Sequence, residues 1–85
     1  MNLAEIIEEI LNAIELGPYG WADLDYILTQ SIDLDIYTHD EIISELDKQA
    51  TRHTIMVQIT DDLKQEVTVW ATREVSEEEI LSCYY

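Results

Sequence analysis

The sequence predicts a small α+β domain, and three observations carry that reading. Apolar residues recur at helical spacing in the first half of the chain, two later runs alternate with a period of two, and capping side chains stand where the helical stretches begin. At 85 residues the chain has room for one domain, residues 1–85, with a modest core. Its 47% hydrophobic content, with Ile and Leu spread throughout, argues against intrinsic disorder.

The first helix runs from Asn2 to Leu16. Leu3, Ile6, Ile7, Ile10, Leu11 and Ile14 fall at i, i+3, i+4 and i+7, so one face is apolar and the other acidic. Asn2 caps the start with Glu5 three residues on, and Gly17-Pro18 supplies the stop. Gly20 permits a turn into a shorter helix from Trp21 to Gln30, which buries Trp21, Leu24, Ile27 and Leu28. From Ser31 to Tyr37 the strict alternation Ile32-Asp33-Leu34-Asp35-Ile36 reads as a short half-buried strand or an extended connector.

Thr38-His39-Asp40-Glu41 is a capping box, and Ile42, Ile43, Leu46 and Ala50 continue it as a third helix, Thr38 to Gln49. Next comes a β-hairpin from Ile55 to Thr72. One strand sets Ile55, Val57 and Ile59 against Met56 and Gln58, the other sets Val67, Val69 and Ala71 against Thr68, Trp70 and Thr72, and Asp61-Asp62 lies at the tip. A second capping box, Ser76-Glu77-Glu78-Glu79, opens a short C-terminal helix with Ile80 and Leu81 ahead of Tyr84 and Tyr85.

Three helices, a hairpin and a terminal helix, in that order, resemble the winged helix-turn-helix superfamily. The resemblance implies that Thr38 to Gln49 corresponds to the recognition helix and Ile55 to Thr72 to the wing. Two features depart from the family pattern. The segment Ser31 to Tyr37 is longer than the usual turn, and the exposed face of the third helix offers His39, Asp40, Glu41, Ser44, Glu45, Asp47 and Lys48 where a DNA reader offers Arg, Lys, Asn or Gln.

Nineteen Asp and Glu stand against four Lys and Arg, a formal net charge of −15. Such a surface repels phosphate backbones and anionic lipid, so neither nucleic acid nor membrane is an expected partner. The natural counterpart is the basic surface of a nucleic-acid-binding protein, which carboxylates can occupy in place of phosphates. In size and charge the chain is similar to small acidic phage proteins that mimic DNA and inhibit uracil-DNA glycosylases, restriction enzymes or CRISPR effectors. The glycosylase inhibitors carry Glu-Ser-Ile before an acidic helix; here Gln30-Ser31-Ile32 lacks the Glu and precedes Asp33 and Asp35. The competing explanation for so many acids is solubility alone.

The expected partner-binding set is therefore Asp33 and Asp35 in the connector, Asp40, Glu41, Glu45 and Asp47 on the third helix, Asp61 and Asp62 at the hairpin tip, and Trp70. Trp70 shares a strand face with Thr68 and Thr72. It either forms an exposed contact patch with Tyr84 and Tyr85, for a partner or a homodimer, or lies beneath the terminal helix.

No enzyme, cofactor or metal site is expected. Asp23/Asp25, Asp33/Asp35 and Asp61/Asp62 are acid pairs without a pocket to separate their pKa values. Asp33-x-Asp35 continues with Ile36 and Tyr37, which breaks the calcium-loop pattern, and His39, His53 and Cys83 lack zinc spacing. A cytoplasmic location is expected. No apolar run approaches the roughly 18 residues of a membrane span, Glu5, Glu8 and Glu9 sit where a signal peptide carries Lys or Arg, and a lone Cys83 suits a reducing compartment. The alternative function is an acidic winged-helix interaction subunit of a larger complex, held by apolar contact rather than by charge.

Overall fold

A computed structural model describes residues 2–83. The expected helices and hairpin are present in the expected order, and the fold is α+β. It comprises α1 (Leu3–Leu16), β1 (Trp21–Asp23), α2 (Leu24–Thr29), a 3-10 helix (Ile32–Ile36), α3 (His39–Gln49), β2 (Thr51–Gln58), β3 (Lys64–Ala71) and α4 (Glu77–Ser82). The strands form an antiparallel sheet in the order β1-β3-β2. Tyr84 and Tyr85 lie outside the described residues.

The ends of the helices follow their side chains. The Asn2 side chain accepts from the Glu5 amide at 3.0 Å, and Ser76 Oγ accepts from the Glu79 amide at 3.2 Å. At α3 the capping box closes in both directions: Thr38 Oγ1 accepts from the Glu41 amide, and Glu41 Oε1 accepts from the Thr38 amide, each at 3.2 Å.

Two elements differ from the sequence expectation. The second helix begins at Leu24, not Trp21, because Asp23 is its cap and accepts from the Tyr26 amide at 2.9 Å. Trp21–Asp23 becomes a third strand, paired with Val69–Ala71. The alternating connector is a 3-10 helix rather than a strand. Ser31 Oγ accepts from the Asp33 amide, and the Leu34 and Tyr37 amides bond to carbonyls three residues back. With three residues per turn, Ile32, Leu34 and Ile36 point in three directions. Leu34 is buried, while Ile32 and Ile36 are 82% and 81% exposed.

The sheet separates two apolar clusters. On one face Trp70 and Ala22 pack with Ile6, Ile7, Ile10, Leu11 and Ile14 of α1, Ile27 of α2, Leu34, and Ile42 and Leu46 of α3. On the other, Ile55, Val57, Val69 and Ala71 pack with Val75 and with Ile80 of α4. Trp70 is 2% exposed, so the expected contact patch is not formed; nor does α4 cover it. The strand alternation placed its side chain opposite Val69 and Ala71 as predicted, and the face it occupies is the one roofed by α1 and α3.

The β1 strand enters through Gly20, whose φ of +72° is in the left-handed region. Its carbonyl accepts from the Thr72 amide at 2.9 Å and the Thr72 hydroxyl at 3.1 Å, and a Cβ there would collide with the Arg73 side chain. Gly20→Ala is expected to cost about 1–3 kcal/mol, read as a lowered denaturation midpoint. An unchanged midpoint would mean that this junction is not held in the left-handed conformation.

Candidate functional site

The expected acidic residues are distributed over three places, and their local chemistry differs. Of the expected acids on α3, Asp40 alone is exposed and without a partner among the described residues. Glu41 is committed to the capping box. Glu45 is half-buried, accepts from Gln49 Nε2 at 2.8 Å and pairs with Lys48 at 3.7 Å. The same Gln49 amide donates to the Ala4 carbonyl at 3.0 Å, so Glu45 helps fix α3 against α1.

Asp47 is also used structurally. Its Oδ1 accepts from Arg52 Nε at 2.9 Å and from Trp70 Nε1 at 2.9 Å, and its Oδ2 pairs with Arg52 Nη2. The Arg52 guanidinium in turn lies 6.0 Å from the Trp70 ring centroid. The end of α3 is thereby tied to β2 and β3. Arg52 holds the Asp47 carboxyl below the ordinary carboxylate range, with Trp70 reinforcing the effect and partial burial opposing it.

The sign of the pH dependence follows. A depressed folded-state pKa contributes stability that is present above the unfolded carboxylate value and is lost as pH falls through the folded one. Asp47→Asn is expected to lower stability at neutral pH, with the difference from the natural chain shrinking as pH drops below the carboxylate range. Urea midpoints of both proteins across a pH series check this, and a pH-independent difference would show that the charge of Asp47 is not what stabilises.

Asp33 and Asp35 are exposed on the 3-10 helix, and Asp61 and Asp62 are exposed in the turn that joins β2 to β3. The structure brings Asp33 alongside a group that the expected set omitted. Glu9 and Asp33 line one shallow groove between α1 and the 3-10 helix, with Ile6, Ile10, Ala13 and Gln30. Glu9 belongs to an exposed row on α1 formed by Glu5, Glu8, Glu9 and Glu15. Helical rise spreads these four over about 15 Å, a charge about every 5 Å, against about 3.4 Å per phosphate along one DNA strand. The sequence signal is the acidic outer face of the first helix, which the expected partner-binding set leaves out.

That row opposes the stability of its own helix. Glu5–Glu9 and Glu5–Glu8 are like-charge neighbours, each destabilising by roughly 0.2–0.5 kcal/mol. Glu15 lies in the last turn, where the helix dipole favours a cation, and no basic residue stands there. Three of the four Lys and Arg are engaged elsewhere: Lys48 with Glu45, Arg52 with Asp47, and Arg73 through Nη2 with the Tyr19 carbonyl at 2.8 Å. Among the described residues, Glu45 and Asp47 are the carboxylates in ion pairs.

His39, His53 and Cys83 sit on α3, on β2 and just after α4, and among the described residues no group of three or more His, Cys, Asp or Glu is placed to hold a metal ion. No helix of the described residues is long and apolar enough to cross a membrane. Comparison with protein-family models, with curated proteins and with solved structures found no match for this chain.

Proposed function

We propose that this protein is a non-enzymatic acidic inhibitor that acts as a DNA mimic, occupying the basic nucleic-acid-binding surface of a host defence or repair protein. The observation that carries the reading is the unneutralised charge: −15 overall, with Lys48, Arg52 and Arg73 each engaged within the chain. Carboxylates kept in repelling rows on α1 cost folding free energy, and a use outside the fold accounts for their retention. The surface assigned to the contact is the α1 row with Asp33 and Asp35, extended by Asp40. Charge-assisted bonds from a partner's Arg and Lys would supply affinity there, and the long-range field would speed encounter. Such an inhibitor would act in the host cytoplasm, where its target works.

A second reading, an acidic interaction subunit of winged-helix type, is favoured by one specific observation: Ile32, Ile36, Met56, Ile59 and Leu63 are all more than half exposed. Salt separates the two, because a charge contact weakens as the Debye length shortens and an apolar contact does not. The immobilised chain is to be incubated with host extract at low and at high salt, and each captured protein tested for DNA binding with and without the chain. The proposal expects capture that salt abolishes, and a captured protein whose DNA binding is blocked at stoichiometric ratio. Salt-resistant capture that leaves nucleic-acid binding intact would favour the second reading and overturn the first.

A further inference from the structure

The sheet has an open edge whose geometry is fixed by the pairing. Trp21, Ala22 and Asp23 of β1 lie opposite Ala71, Trp70 and Val69, after which the chain turns away into α2. β3 continues for five more residues, Lys64–Thr68, paired with β2 on its other side. The parity of the ladder can be read from two bonds. The Thr72 amide bonds to the Gly20 carbonyl, so even-numbered residues of β3 face the β1 side; the Ile59 amide bonds to the Leu63 carbonyl, so odd-numbered residues face β2. The backbone groups of Lys64, Glu66 and Thr68 therefore project from an edge where, among the described residues, no strand meets them.

That edge borders an open cleft of about 790 Å³ that extends across β3 to residues 57–59 at the end of β2, and is otherwise bounded by β3 residues 65–68, by Asp23, Leu24 and Asp25 where β1 ends, and by Ile43 of α3. Its floor is partly apolar and its rim carries three carboxylates, Asp23, Asp25 and Glu66. Arg52 also lines it, but is neutralised by Asp47.

We infer that the β3 edge is a strand-addition site that takes an extended, basic segment of a partner protein, seated antiparallel or parallel to Lys64–Thr68 as a continuation of β1. Five residues of strand span about 17 Å, enough for two or three main-chain pairs, with alternate side chains reaching Leu24 and Ile43 on one face. Charge selects the occupant. A second copy of this chain would bring another −15 to a rim that is already acidic, whereas lysines or arginines flanking an extended run would meet Asp23, Asp25 and Glu66. This inference rests on the proposed basic partner and adds a backbone contact to it.

The test uses the whole chain, isotope-labelled, titrated at low salt with a short capped peptide of alternating lysine and valine. Two copies of the peptide are N-methylated on alternate amides, one in each phase. Strand addition predicts amide shifts centred on Glu66 and Thr68, and about a tenfold or greater loss of affinity for one methylated phase only. It also predicts that Glu66→Pro abolishes binding while Met56→Pro, directly opposite on the other sheet edge, leaves it intact, since each removes an outward amide and spares the β2–β3 ladder. Equal binding of the parent and both methylated peptides would overturn strand addition while leaving the acidic-contact reading standing. Failure of every lysine peptide to bind at low salt would overturn both. Edge shifts that grow with protein concentration and no peptide would assign the edge to a second copy and overturn the basic occupant.

Discussion

Replacing Trp70 with Ala is expected to destabilise the fold by about 3–5 kcal/mol. For a chain of this length the whole stability is on the order of 4–13 kcal/mol at typical per-residue values, so the variant is expected to be largely unfolded well below the natural midpoint. The side chain is 2% exposed and fills the space between the sheet and the α1 and α3 residues packed on it. Its removal leaves a cavity and also strips Asp47 of one donor. Trp70→Phe separates these effects: the ring contact is mostly retained and the Nε1 bond is lost, so a cost nearer 1–2 kcal/mol is expected. Urea denaturation of the three proteins at neutral pH measures both. Equal small costs for Ala and Phe would mean that Trp70 does not fill the core.

The same residue marks the boundary of what the sequence reveals. Period-two alternation put Trp70 on the face of Thr68 and Thr72, and that is where it lies; which layer roofs that face depends on how α1 and α3 return to the sheet, and local pattern carries no such information. The capped helices were legible because Asn2, Thr38 and Ser76 each act on amides three residues away. β1 was not, since its partners in β3 are some fifty residues downstream and the spacing of Trp21 and Leu24 imitates a helix. The Ile-Asp alternation misled in a different way. Ser31 Oγ accepts from the Asp33 amide and the Leu34 and Tyr37 amides bond three residues back in preference to a ladder, and a threefold winding then separates the isoleucines that a strand would have aligned.

For the acidic site, composition revealed that carboxylates dominate but not which of them are free. Asp47 and Glu45 are drawn inward by Arg52, Trp70, Lys48 and Gln49, partners set by the approach of α3 to β2 and α1. Asp40 has no partner among the described residues: it lies in the first turn of α3, two residues past the cap, and faces solvent. Glu5, Glu8, Glu9 and Glu15 were visible as a helical row from the start, and only the packing of the 3-10 helix beside α1 brings Asp33 into line with them.

A paired charge reversal tests that placement. Glu9→Lys with Asp33→Lys alters the groove between α1 and the 3-10 helix; Asp61→Lys with Asp62→Lys alters the hairpin tip. Each double changes the net charge equally, and all four residues are exposed, so differences in binding report position and not total charge. If the α1 row and Asp33 stand in for phosphates against a partner's Arg and Lys, each lost contact is worth roughly 1.5–3 kcal/mol, and the first double should weaken binding by about two orders of magnitude or more. The tip double should lose mainly the long-range term, which acts on association rate and is screened within about 8–10 Å near physiological salt. Calorimetry against the captured partner at that salt gives the affinities, and stopped-flow association separates the rate effect. Equal losses in both doubles would mean that net charge alone drives binding. A larger loss from the tip would transfer the contact to Asp61 and Asp62 and make the hairpin end, not α1, the surface that the partner grips.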